Sequence, residues 1–386
     1  VEFVPEGFAM RRGECKTPGG KLVAVTLDVE NARLAAVRVS GDFFIHPEPA
    51  ATATLDAIAV GLNGTPADAD VPALAARVRA AVPFGVELVG TSADAVAVAV
   101  VRAVRGNPDL HDVPRLDRIG AFTPAEIDRL TAEWRTFPWR LLPEIPLPPA
   151  LNVALDEVLT ERVAAAKSPP TLRFWRWDAP AVIIGRCQSV TNEVDRAAAA
   201  ARGVTVVRRM TGGGAMFLQP HGAITYSLYL PERVLDGLNI RQSYEVCEAW
   251  VIRGLRDLGV DAHHVPINDI ACGEGKIGGA AQARRKGVVL HHTTMAYDMD
   301  PGDMVSVLRI GREKLKDKAV SSAAKRVSPL VRQTGRSRAE IVAHLFDAFR
   351  ARYGGTVSAL DAEELAAAAE LVATKYAHPA WTEEFE

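Results

Sequence analysis

A two-domain α/β fold of the α+β type, built around a mixed sheet, is what this sequence predicts. Three observations predict it. The chain has 386 residues, more than one ordinary domain of about 150. Strand and helix periodicities both recur, without the strict β-α-β alternation of a parallel sheet. A proline-rich stretch separates a first third from the remainder. The predicted organisation is a small α/β domain over residues 1–112, a linker over 113–146 and a larger domain over 147–386.

In the small domain, residues 21–30 (KLVAVTLDVE) alternate apolar and polar side chains, the pattern of a half-buried strand, behind a turn at Gly19-Gly20. Asn31 suits a tight hairpin into a second strand pair over 32–45, interrupted by Ser40-Gly41-Asp42. Residues 53–62 and 71–82 have helical spacing. Ser92 is a helix N-cap ahead of 95–105, although the Ala/Val alternation of 95–101 suits a strand equally. Prolines 114, 124, 138, 143 and 146 mark the linker, with Pro108 just ahead of it. It must wrap onto the protein, because Trp134, Trp139, Leu141 and Leu142 need burial. A short helix fits at 124–135. In the large domain, helices are expected at 152–166, 190–201, 244–258, 338–353 and 362–375, and strands at 172–177, 181–185, 204–208, 223–230, 268–272 and 288–298.

Composition excludes several classes. Hydrophobic residues at 48% and charged residues at 24% are those of a globular chain, not a disordered one. A net charge of -2 gives no electrostatic case for nucleic acid. No apolar run reaches the roughly 18 residues that would span a bilayer. The first residues, VEFVPEGFAMRRGE, lack the apolar core of a signal peptide, and the four cysteines (15, 187, 247 and 272) form no framework. A reduced, cytoplasmic protein is expected.

Two glycine clusters carry the chemistry. Arg208-Arg209-Met210-Thr211-Gly212-Gly213-Gly214-Ala215 follows a strand; glycines there let backbone N–H groups face an anion, beside a planar guanidinium. Gly273-Glu274-Gly275-Lys276-Ile277-Gly278-Gly279-Ala280-Ala281-Gln282 sets a lysine in open surroundings, where it can reach a phosphate oxygen. Neither is a Walker A loop. Asn268-Asp269, just upstream, suits a divalent cation or the polar edges of a nucleotide. Solvated turns are the plain alternative for each. The pairs His263-His264 and His291-His292 lack partners at zinc-ligand spacing. Cys272 is either a thiol activated by Lys276 or a small core residue.

Taken in order, these segments resemble the lipoate–protein ligase family of the biotin/lipoate ligase superfamily. The similarity runs through Leu151-Asn152-x-Ala154-x-Asp156-Glu157, Ile184-Gly185-Arg186-x-Gln188, the Arg208–Ala215 cluster, Asn268-Asp269, Lys276-Ile277-x-Gly279-x-Ala281-Gln282, Leu290-His291-His292-Thr293-Thr294 and Lys314-Leu315-x-x-Lys318-Ala319-Val320-x-Ser322. Residues 15–48 resemble the family's small accessory domain, here placed first. The resemblance implies a biotin/lipoate ligase-like catalytic fold and an ATP-dependent ligase. Such an enzyme forms lipoyl-AMP and passes the lipoyl group to a lysine of lipoyl domains in 2-oxoacid dehydrogenase complexes and the glycine cleavage H protein. It further implies Lys276 as the catalytic residue. Arg209, Thr211, Gly212, Gly213, Gly214, Ala215, Asn268, Asp269, Gly279, Ala281 and His292 would bind lipoate and ATP, with Mg²⁺ on Asn268 and Asp269. The chain departs from the family where arginines are usual, at Ala283 and Ala324, and carries Leu218-Gln219 where His-Asp is usual. Two other readings stand beside the ligase. One is an ATP-independent octanoyl or lipoyl transferase working through a thioester on Cys272. The other is a non-catalytic binder of acyl chains or lipoyl domains.

Overall fold

The structure, a computed structural model, describes residues 10–106, 113, 121–299, 301–309 and 327–386. The segment 314–322 and the position Ala324 lie outside the described residues. The chain divides into two compact units: Val1–Asp117 with Cys187–Ser189 and Phe385, and Arg118–Arg186 with Val190–Glu384 and Glu386.

In the first unit, β1 (Arg11–Lys16), β2 (Leu22–Glu30) and β3 (Arg33–Gly41) form an antiparallel sheet. Asn31 and Ala32 both take positive φ (49° and 61°), the two-residue hairpin that the asparagine suggests. Then follow β4 (Phe44–His46), α1 (Ala51–Leu62), α2 (Val71–Ala81), β5 (Glu87–Val89) and α3 (Ala93–Arg105). The ambiguous Ala/Val run is α3. Ser92 caps it, accepting from Ala95 N at 3.1 Å, and Ala95 through Val101 are all buried, so the run is apolar on every side. The unit's core joins Val23, Val25 and Leu27 to Leu55, Ile58 and Val98.

The second unit opens with α4 (Pro124–Leu130) and a 3₁₀ turn, Ala132–Thr136, so the expected single helix is divided. Trp134, Trp139, Leu141 and Leu142 are all buried, as their size requires. After β6 (Arg140–Leu142) and β7 (Pro146–Leu147) come the long α5 (Pro149–Ala164), β8 (Thr171–Trp177) and β9 (Ala181–Ile184). The helical stretch after residue 189 is two short pieces, α6 (Val190–Glu193) and α7 (Arg196–Ala201). Next are β10 (Thr205–Arg208), β11 (Met216–Leu218), β12 (Ala223–Pro231), α8 (Ile240–Asp257), β13 (His263–Val265), β14 (Asp269–Cys272), β15 (Gly275–Arg285), β16 (Val288–Ala296) and α9 (Pro301–Val307). The chain closes with α10 (Leu330–Thr334), α11 (Arg338–Tyr353), β17 (Thr356–Val357), α12 (Ala362–Leu371) and α13 (Pro379–Thr382). The second glycine cluster, expected as a loop, is mostly the 11-residue strand β15.

The main sheet runs β13-β14-β15-β16-β12-β8-β6-β17, with β7 beside β8. The pairs β6–β8, β7–β8 and β17–β6 are parallel and the others antiparallel, so the sheet is mixed. One face packs on α8 and α11 through a core containing Phe174, Tyr226, Trp250, Ile270, Cys272 and Phe349. A small sheet, β10-β9-β11, positions the first glycine cluster. No helix among the described residues is long and apolar enough to cross a membrane.

Candidate active site

Register places the site on one face of the main sheet. Ala281 pairs His292, His292 pairs Ser227 and Ser227 pairs Arg173. One step along, Asp269 pairs Gly279, Gly279 pairs Thr294, Thr294 pairs Thr225 and Thr225 pairs Trp175. Directly opposed residues share a face, so these two rows form a floor of small and polar side chains. Over it lies α5. Asp156 on that helix accepts from His292 Nδ1 at 2.7 Å, from Ser227 Oγ at 2.9 Å and from the Tyr229 hydroxyl. Burial, then the nearby Asp156 charge, pushes the Tyr229 phenol well above its usual range. Arg173 holds Asn152 through its main-chain and side-chain oxygens, and its guanidinium stacks 4.7 Å from the Trp175 ring.

Lys276 stands at the start of β15 with its side chain about half exposed, at 47%, and its Nζ 2.7 Å from Asp269 Oδ1. A side chain at Gly279 would begin 3.1 Å from that Nζ, so the glycine leaves the lysine room to lie across the strand. Its partner residues differ from the expectation. Asn268 is buried, its Nδ2 donating to the Ala280 carbonyl and its own carbonyl accepting from Ala280 N at 2.8 Å. It therefore ties β14 to β15. Asp269 is one carboxylate already opposed by an ammonium. Among the described residues no group of three His, Cys, Asp or Glu side chains could hold a metal ion.

The first glycine cluster corrects a second expectation. Arg209 does not reach outward for phosphate. It is buried, and its guanidinium donates to Thr211 Oγ1 (3.0 Å) and to the carbonyls of Ile183 (3.1 Å), Gly212 (2.6 Å) and Gly214 (3.0 Å). Burial lowers its pKa to about 10, still charged at neutral pH. Arg209 is thus the internal clamp of the loop. Thr211, also buried, lies 2.8 Å from His292 Nε2, which links the loop to the sheet. Gly213 takes φ 92°, and Ala215 is half-buried beside it. The structure therefore brings Thr211, His292 and Ala281 into one continuous arrangement. Lys276, Asp269 and Gly279 stand at its neighbouring row. Asp156 belongs to the same arrangement, although local sequence gave it no role. The side chains hydrogen-bonded to its carboxylate are 71 to 136 positions away, and nothing in the helix spacing marks it.

Cys272 is a core residue. Ala271 pairs Lys276, so Cys272, one step on, faces the opposite side of the sheet, within the apolar cluster against α8. Its Sγ lies 3.6 Å from the Gly275 carbonyl. Two of the other paired histidines are engaged away from the site: His264 pairs with Glu248 at 2.6 Å, and His291 is buried against Gln282 and Thr293. Ala283, where the family usually has arginine, is buried among Leu142, Leu159, Met210 and Leu290, so no charge replaces it there.

Comparison with known proteins bears on what this arrangement does. Residues 148–350 match the family described as the lipoyl protein ligase A/B catalytic domain. Octanoyltransferase LipM of Brevibacillus brevis is 29% identical over 273 residues, 63% of this chain and 98% of that protein. Octanoyltransferase LipM of Kyrpidia tusciae is 34% identical over 204 residues, 47% of this chain and 73% of that protein. Among solved structures, the bi-partite lipoate protein ligase of Thermoplasma acidophilum is 30% identical with a TM-score of 0.56, covering 64% of this chain and 96% of its own. The curated relatives are named as octanoyltransferases, and this overturns the expectation of an ATP-dependent ligase in favour of the transferase reading. The fold is the mixed-sheet one of these ligases and transferases, the chain is an enzyme of that group, and it belongs to the lipoyl protein ligase A/B catalytic domain family.

Proposed function

We propose that the chain moves an octanoyl or lipoyl group from a thioester donor to the ε-amine of a lysine on a lipoyl domain, with no adenylate formed. The names of the curated relatives support the acyl group and the reaction type. The described lipoylation system of T. acidophilum, a ligase studied with its E2 lipoyl domain, supports the acceptor. The N-terminal unit lies mostly outside the matched residues and, by its resemblance, would be the accessory domain.

The observation that carries the reading is the placement of Lys276. Its ammonium is half exposed, paired with Asp269 and beside Gly279 on β15, in the row next to Ala281 and His292. In the transfer, the acceptor amine attacks the thioester carbonyl carbon and a C–N bond forms. The oxygen gains negative charge, which the Lys276 ammonium stabilises, and the C–S bond then breaks with the electron pair leaving on sulfur. Because Cys272 faces the opposite side of the sheet, the acyl group passes directly, without an enzyme thioester there.

The test supplies an octanoylated carrier protein and an unmodified lipoyl domain without nucleotide, and follows the acceptor's mass. Wild type and Cys272→Ser should both label it. Lys276→Ala should be slower by roughly two to three orders of magnitude, as for loss of one transition-state donor. Labelling that appears only with free octanoate and ATP, with pyrophosphate released, would sink the reading.

A further inference from the structure

We infer that residues 379–384 are a positioning element of the site and that Trp381 is its central positioning residue, joining the glycine loop to α5. This rests on the transferase reading just given and names a part of the enzyme that the reading needs held still.

The need is physical. Three successive glycines, Gly212 to Gly214, give the loop more backbone freedom than other residues would. Group transfer tolerates little of it, since a misplacement of about 1 Å can cost about a hundredfold in rate. Arg209 clamps the loop from inside. Its neighbour Arg208 ties the loop's support to a distant segment. Arg208 is fully buried, and its guanidinium donates to main-chain carbonyls. Nη1 donates to Gly185 (3.0 Å) and Arg186 (3.0 Å), in the turn after β9. Nε donates to Trp381 (2.9 Å) and Nη2 to Thr382 (2.6 Å), both on α13 and 173 and 174 positions away. The indole N–H of Trp381 in turn donates to the Arg208 carbonyl at 2.9 Å. Arg186 is held from the same side. Glu384 accepts from both its Nη atoms, at 2.6 and 2.8 Å, and its guanidinium stands 4.4 Å from the centre of the Trp381 ring. Bidentate pairing of this kind fixes direction as well as distance.

The turn bears directly on the loop. Arg186 N donates to the Thr211 carbonyl at 2.8 Å, and Arg209 N to the Ile184 carbonyl at 3.0 Å. Gly185 lies so close to Gly213 that there is no room for a β-carbon between them. Whatever fixes Gly185 and Arg186 thus fixes Thr211 and Gly213. The same indole reaches the other side of the site. Lys375 Nζ stands 4.1 Å from the Trp381 ring and 2.6 Å from Glu157 on α5, the residue after Asp156. Asp156 and Thr211 both hydrogen-bond His292. Trp381 therefore joins the supports of that ring, from a place beyond the residues 148–350 that the family match spans. A buried guanidinium deprived of its carbonyl partners is costly, so the loop keeps its form only with residues 379–384 in place.

The experiment uses the full chain with an octanoylated carrier protein and a lipoyl domain, below the thermal transition of each variant. Trp381→Ala should lower kcat by about tenfold or more, with KM for the lipoyl domain within about twofold. Trp381→Phe keeps a ring for Arg186 and Lys375 and should recover most of the lost rate. Hydrogen exchange supplies a readout that needs no activity. The amides of Arg186 and Arg209, which bridge turn and loop, should exchange at least about tenfold faster in Trp381→Ala, while those of β12 and β16 keep the wild-type rate. Three results overturn the assignment: full kcat in the folded Trp381→Ala variant, a Phe variant as slow as the Ala one, or exchange at those two amides that is unchanged or quickened only in step with the whole sheet. Should Trp381→Ala not fold, Glu384→Gln replaces it, with a lower kcat and faster exchange of the Arg186 amide expected, and wild-type values of both overturning the assignment. No transfer by the wild type from the thioester donor overturns the transferase reading instead, and the exchange result is read separately from it.

Discussion

At Gly185 a single methyl group decides whether the site can form. A β-carbon there would stand 1.9 Å from the Gly213 carbonyl oxygen, backbone against backbone, with no flexible end to move aside. Gly185→Ala should cost roughly 3 kcal/mol by overpacking and push the glycine loop away from β9. Urea unfolding should show the lower midpoint, and acyl transfer should fall with it. At this scale the sequence was informative about which residues matter and poor about which way they face. Lysine among glycines marked Lys276 correctly as an exposed charge. Arg209, marked by the same logic, is turned inward, because the loop's own carbonyls are nearer than any ligand and a guanidinium offers five donors to satisfy them. Cys272 illustrates the same ambiguity: near Lys276 in the chain, it is separated from it by the pleat.

The clamp on α5 governs an element. Glu157 on that helix receives Arg285 of β15 at 2.9 Å, Lys375 at 2.6 Å and the Tyr376 hydroxyl at 2.6 Å. Burial raises its pKa, but the charges and hydrogen bonds of Lys375, Tyr376 and Arg285 outweigh that, and the net shift is below 4.5. A carboxylate with a depressed folded-state pKa stabilises the fold fully above its unfolded value and progressively less as pH falls through the folded value. Stability of the wild type should therefore drop below about pH 4.5, and Glu157→Gln should flatten that part of the curve while lowering stability at pH 7. Denaturant titrations across that range check both. Elements with a plain period were legible: α1, α2, β2, β12 and α11 lie within a few residues of expectation. β15 was not, since glycine and alanine have low strand propensity and only pairing on both edges, with β14 and β16, makes the segment a strand. That pairing is tertiary information.

For the whole molecule, the mixed sheet followed from the absence of strict β-α-β alternation, but strand order did not, because β8, β12 and β16 meet across long separations in the chain. Each unit has its own apolar cluster, one centred on Leu27, Leu55 and Val98, the other on Phe174, Trp250 and Phe349. A fragment spanning residues 118–386 should therefore unfold in one cooperative transition by itself, followed by circular dichroism. A broad, non-cooperative melt would show that its core depends on the first unit.

The grip of Arg209 has one further effect. In a trans peptide unit the oxygen and the hydrogen point in opposite directions. With the oxygens of Gly212 and Gly214 drawn to the guanidinium, the amide hydrogens of Gly213 and Ala215 are turned the other way. A negative charge arriving on that side meets dipoles already aligned, so the cation acts on it at second hand, through the peptide planes it has oriented.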